Sequence, residues 1–207
     1  MSKRAEKAVQ YKKEKNRYII AIVVIASIQF SGINAIFYYA KQLFNHITAY
    51  DQDLTQQLIL GLSICQFIAS LICSKIIDIF GRKYLLLKGQ QILILILVVI
   101  FIVDQLKDLI DEDLVHYIII ALIYLHIVVF NFSLGPVGII FAAELVPNLI
   151  PIIVTLRFIT FLVALSTNYI IHEFGIGQLF FMFGTLSTIA QYYLWERMRE
   201  TKGKSKP

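Results

Sequence analysis

Six long apolar runs, separated by short polar breakers, fill most of the chain: residues 18–43, 55–77, 84–103, 114–146, 150–172 and 177–196. Each has the length of about 20 residues that a helix needs to cross the hydrocarbon of a bilayer. The breakers carry Asp51 and Asp53, then Phe80-Gly81-Arg82-Lys83, then the acidic stretch 104–113, then Val146 to Pro151, then His172 to Gly177. This pattern predicts an all-α polytopic membrane protein with six transmembrane helices. A basic tail over 1–17 precedes the bundle of 18–196, and a second basic tail over 197–207 follows it.

Composition and charge sharpen the picture. Of the 207 residues 58% are hydrophobic and 16% charged, with a mean hydropathy of +0.72. A soluble domain carries about 25% charged residues, so a water-soluble enzyme is excluded, and so is a disordered chain. Of the 19 Lys and Arg, seven lie in residues 1–17 and five in 197–206, and Lys75, Arg82, Lys83 and Lys88 flank one short loop. The acids collect in the other loops, at Asp51, Asp53, Asp104, Asp108, Asp111, Glu112 and Asp113. Six spans put both termini and the Arg82 loop on one side, and the positive-inside rule gives the same topology independently. The chain is therefore expected to be an integral, multi-pass protein with both termini on the positive side, cytoplasmic or matrix. A mitochondrial inner membrane and a plasma membrane fit equally. Topology accounts for the basic tails without nucleic acid, and no nucleic-acid recognition motif accompanies them. No secretory signal is evident, because residues 1–17 are polar and the first apolar run exceeds a signal h-region.

Few residues suggest chemistry. Cys65 and Cys73 lie about 12 Å apart along a helix, too far for a disulfide, and read as packing thiols. His46, His116, His126 and His172 lack metal-ligand spacing, and only His126 sits deep in a span. No catalytic set, metal site, phosphate loop or cofactor motif is present, so neither an enzyme nor a cofactor is expected. Within the spans lie Gln29, Asn34, Gln66, Asn131 and Asn168. Polar side chains cannot be left to acyl chains, so these should face other helices or a cavity. Gly135-Pro136 predicts a break in the fourth span, since proline lacks an amide donor and clashes with the preceding turn. Breaks at membrane depth are tolerated only inside protein or beside water.

Four motifs, in order and at matching spacing, resemble the sugar porters of the major facilitator superfamily, and more narrowly the C-terminal six-helix half of a hexose transporter. Gln29-Phe30-Ser31-Gly32-Ile33-Asn34-Ala35-Ile36-Phe37-Tyr38-Tyr39 is similar to a stretch of that family's seventh helix. Asp78-Ile79-Phe80-Gly81-Arg82-Lys83 resembles the loop after the eighth. Gly135-Pro136 with Ala143-Glu144-Leu145-Val146-Pro147-Asn148 resembles the tenth helix and its inner end, and Glu200-Thr201-Lys202-Gly203-Lys204 resembles the tail after the last helix.

The resemblance implies half of a major facilitator fold, with sugar bound between two six-helix halves. It assigns Gln29, Asn34, Gln66 and Asn131 to the substrate-facing positions, working or vestigial, and Asp78, Arg82 and Glu144 to an inner-face charge network. Several matched positions depart from the family. Ile28 stands for a second glutamine, Asn131 for a glutamate, Ile139 for a cavity tryptophan and Pro151 for an inner-loop arginine. A first half corresponding to the family's helices one to six is not expected in the chain. Two functional expectations follow. One is a non-transporting accessory subunit of a larger membrane complex, in which other subunits cover the Gln29/Asn34/Asn131 face. The other is a hexose carrier half that transports as a homodimer or with a separate first-half chain. The expected partners are the lipid bilayer, membrane subunits and, in the second case, a sugar.

Overall fold

The computed structural model describes residues 3–48, 51–107, 109 and 111–203. Asp108 and Lys204 lie outside the described residues, as do the side chains of Glu112, Asp113 and Asn168. The described residues form eight α-helices: α1 (Lys3–Phe30), α2 (Ile33–Ile47), α3 (Gln52–Phe80), α4 (Arg82–Gln105), α5 (Glu112–Phe132), α6 (Leu134–Leu145), α7 (Ile150–Phe174) and α8 (Ile176–Arg197). They trace the six expected spans. The first span is α1 followed by α2, and the fourth is α5 followed by α6, each broken part-way across. The basic segment expected as a tail is the opening of α1, continuous with the membrane segment.

Among the described residues, five stretches are long and apolar enough to cross a membrane: Gln10–Phe37, Gln52–Phe80, Arg82–Gln105, Leu114–Leu145 and Ile150–Phe174. The sixth span, α8, is diluted by Gln178, Thr185, Ser187, Thr188 and Gln191. Two of these polar groups tie it to its neighbours. Gln191 Nε2 donates to the Leu87 carbonyl at 3.1 Å, and Ser187 Oγ donates to the Phe30 carbonyl at 2.9 Å. Gln90 Nε2 of α4 returns the clasp by donating to the Ser187 carbonyl at 3.0 Å.

The same bonds set chain direction. Ser187 meets Phe30 while Phe183 lies against Gly32, so α1 runs antiparallel to α8. The amino end of α1 and the tail after α8 therefore emerge at one end, together with the α3–α4 and α6–α7 turns. The core is built from Ala21, Val24 and Ile25 of α1, Leu86, Leu93 and Leu97 of α4, Phe141 of α6 and Phe183 of α8. The membrane stretch containing α1 is 67% buried within the chain, whereas those of α3 and α7 are each 17% buried. α3 leans on α5 and α2, and α7 on α1 and α8. Their outer faces present Leu60, Ile64, Phe67 and Leu71, and Val154, Phe158, Phe161 and Leu165.

Candidate functional site

The first break follows from Ser31-Gly32. Gly32 adopts φ +78°, a left-handed conformation that a side chain disfavours, and a Cβ there would lie 3.2 Å from the Phe183 ring. The helical ladder stops, and the Phe30 carbonyl accepts from Ser187 instead. The turn brings Asn34 back onto the preceding helix, where its Nδ2 donates to Gln29 Oε1. Two of the four residues assigned to sugar thus bond each other across the break.

The second break lies at Ser133, one turn before the expected Gly135-Pro136, which occupy the first turn of α6. The reason is the missing amide of Pro136, which would have bonded the Phe132 carbonyl four residues back. That carbonyl accepts from Cys73 Sγ of α3 at 3.3 Å. Asn131, just before this break, is also engaged. Its Nδ2 donates to the Ile127 carbonyl at 2.8 Å, and its Oδ1 accepts from Ser70 Oγ at 3.2 Å.

Gln29 is 4% and Asn131 6% exposed, so the chain's own helices already cover them. Asn34 is half-buried beside them. Gln66 is half-buried on α3 and makes no hydrogen bond to any described residue. Ile28 is buried, and Ile139 lies on the exposed surface of α6.

His126 escaped the reading of the chain as a site residue. It is fully buried on α5, and neither ring nitrogen has a hydrogen-bond partner among the described residues. Its only signal in the sequence was its depth within a span.

A second constellation sits at the Arg82 end. The Arg82 guanidinium pairs with Glu144 Oε1 at 3.0 Å and with Asp78 Oδ1 at 3.3 Å. Glu144 Oε2 accepts from Thr201 Oγ1 at 2.6 Å. Gly81, at φ +84°, offers the start of α4 no side-chain cap. The tail supplies one. Glu200 accepts from the amides of Arg82 at 3.1 Å and Lys83 at 3.0 Å, and from those of Thr201 and Lys202, each at 3.0 Å. A carboxylate suits a helix amino terminus, where unpaired N–H groups point outward. Burial alone would raise the Glu200 carboxyl, but these four amide bonds outweigh it and hold it below the usual glutamate range. Asp78, Arg82 and Glu144 are thus brought together as one network, which also locks the tail to α4 and α6.

This arrangement defines a membrane-embedded helical bundle with two broken spans and a charged clasp at one end. Its fold is that of the major facilitator superfamily. It superimposes on the solved proton:xylose symporter XylE, bound to 6-bromo-6-deoxy-D-glucose, with a TM-score of 0.72 at 20% identity, over 91% of this chain and 41% of that one. Residues 2–206 match the family described as "Sugar (and other) transporter", and the chain belongs to that family. It is 28% identical to the facilitated trehalose transporter Tret1 of Apis mellifera ligustica over 183 residues, 86% of this chain and 36% of that protein. It is 29% identical to the glucose facilitated diffusion protein of Zymomonas mobilis subsp. mobilis over 196 residues, 89% of this chain and 40% of that protein. The chain thus spans roughly two fifths of the length of these relatives. The family consists of membrane transporters, not enzymes.

Proposed function

We propose that the chain is the C-terminal six-helix half of a sugar porter, and that in itself it is a membrane-embedded accessory unit rather than a carrier. The observation that carries this reading is the internal bonding of the substrate-facing set. Gln29 and Asn34 bond each other, and Asn131 is held by Ser70 and its own helix. A sugar arriving at these residues would have to break those bonds before making its own. A neutral hydrogen bond contributes about 0.5–1.5 kcal/mol net, and a millimolar site is worth only about −4 kcal/mol in total. The exchange leaves little net affinity. The four motifs at the seventh-, eighth-, tenth- and twelfth-helix positions support the C-terminal assignment, and the basic residues at the Arg82 end support placing both termini on the cytoplasmic or matrix side.

Equilibrium binding of radiolabelled glucose and trehalose to the purified chain tests this. No saturable binding up to millimolar sugar is expected, while the native mass of the gently solubilised protein should exceed that of a single chain through co-purifying membrane subunits. Saturable millimolar binding by the chain alone would refute the reading.

A second reading is a hexose carrier completed by another six-helix unit. It draws on Gln66, which keeps its carboxamide free, and on the two broken spans, which give the bundle places to bend. Under this reading the co-purifying chain is itself a six-helix sugar-porter half, and sugar binding appears only in the pair.

A further inference from the structure

α4 and α8 run antiparallel along one seam, with Phe101 against Phe181, Leu97 against Gly184, Gln90 against Ser187 and Leu87 against Gln191. Gln90 is 1% and Gln191 8% exposed. They lie about 9–12 Å from the ends of their helices at the Arg82 side. Each carboxamide donates an N–H to a backbone carbonyl of the other helix. A carbonyl can only accept, so these bonds fix which end of each carboxamide is its oxygen. The two oxygens, Gln90 Oε1 and Gln191 Oε1, are buried and meet no donor among the described residues. Neighbouring hydroxyls are committed elsewhere. Ser187 Oγ donates to the Phe30 carbonyl at 2.9 Å, and Thr188 Oγ1 to the Gly184 carbonyl at 2.8 Å.

A buried acceptor without a donor carries the full cost of its desolvation, and protein interiors meet that cost with enclosed water. The seam has the right spacing for one. Leu87 and Gln90 are three residues apart on α4, and Ser187 and Gln191 four apart on α8. The two carboxamides are therefore staggered by about 4.5–6 Å along the seam. A water donating both hydrogens spans about 5.6 Å between two acceptor oxygens. Its own oxygen can accept the second N–H of either carboxamide, which completes the set of partners that a buried water needs. A hard cation would need several more oxygens, whereas the buried side chains around this pair include Leu86, Leu93 and Leu194.

We propose that one enclosed water bridges Gln90 Oε1 and Gln191 Oε1 between α4 and α8. It completes a polar chain from the Leu87 carbonyl through both carboxamides to Ser187 and the Phe30 carbonyl freed at the first break. The site is enclosed by this chain's own helices, so it does not depend on what surrounds the bundle. The test uses the full chain in lipid nanodiscs. X-ray pulses convert water to hydroxyl radicals where it lies, and a buried side chain is labelled only when water sits beside it. Leu87 and Leu194 should be labelled well above Leu62, an equally enclosed leucine of α3. The double variant Gln90→Met/Gln191→Met keeps the side-chain length without the oxygens, and should lose that labelling to the level of Leu62. Should this variant not fold, rapid mixing of the wild type with ¹⁸O-water decides. The isotope should reach Leu87 and Leu194 later than exposed Tyr11 on α1, because an enclosed water exchanges slowly. Labelling of Leu87 and Leu194 no higher than that of Leu62, labelling unchanged in the double variant, or isotope arriving as fast as at Tyr11 would each overturn the proposal.

Discussion

The two broken spans and the two flanking helices solve the same problem in opposite ways. α1–α2 and α5–α6 carry the polar residues and interrupted backbone, and they bury them. The freed carbonyls of Phe30 and Phe132 accept from Ser187 and Cys73, and Asn34 and Asn131 bond Gln29 and Ser70. α3 and α7 run unbroken and leave rows of Leu, Ile and Phe on the surface. A continuous helix satisfies its own backbone and can face hydrocarbon directly, whereas a broken one must be enclosed by partners. In these four spans, burial varies with backbone continuity.

The largest effect that would test this contrast is expected at Gly32. Gly32→Val puts a β-branched residue at φ +78° against the Phe183 ring and should cost about 3 kcal/mol or more in thermal unfolding of the solubilised protein. Ile64→Val on the exposed face of α3 should stay within about 0.5 kcal/mol. Equal effects would erase the distinction between the two kinds of span.

Asn34→Ala comes next. It leaves the buried Gln29 carboxamide oxygen without a donor and should cost about 1–3 kcal/mol. Adding Gln29→Leu should recover part of that loss, because both polar partners are then gone. Strict additivity in this double-mutant cycle would show that the pair is not coupled.

At the Arg82 end, Glu200→Ala should cost about 1–2 kcal/mol by uncapping α4 and freeing the tail. The sign of the pH dependence follows from its depressed carboxyl. The stabilisation is fully present above the ordinary glutamate value of 4.5 and is lost as pH falls through the lower folded value. Proteolysis of the tail should therefore accelerate on acidification below 4.5 in the wild type, and at all pH values in Glu200→Ala. Tail cleavage that ignores both would contradict the cap.

The smallest effect is expected at Pro136. Pro136→Ala restores an amide that competes with Cys73 for the Phe132 carbonyl, so the Cys73 S–H stretching band should move to higher frequency with a stability change below about 1 kcal/mol. An unmoved band would mean that Cys73 does not serve that carbonyl.

The sequence made the spans legible because apolar runs and charged breakers both track the membrane. It also brought Asp78, Arg82 and Glu144 together through their motifs. The first break was hidden, because Ser31-Gly32 lies inside an unbroken apolar run and the left-handed backbone at Gly32 shows only in three dimensions. The second was visible as Pro136, but its place at Ser133 depends on which carbonyl the missing amide leaves free. The clasp of Glu200 on α4 spans more than a hundred residues, and no local pattern announces it. The self-satisfaction of Gln29, Asn34 and Asn131 stayed out of reach for the same reason: polarity within a span says that a partner is needed, not which one.

Hexose flux into liposomes carrying only this chain, measured with radiolabelled glucose over a millimolar concentration range, tests the central claim most directly. Uptake indistinguishable from protein-free liposomes, and unchanged by Asn34→Ala, is the predicted result. Saturable uptake by the chain alone that disappears in Asn34→Ala would show that Gln29 and Asn34 serve the sugar rather than each other, and would contradict the account.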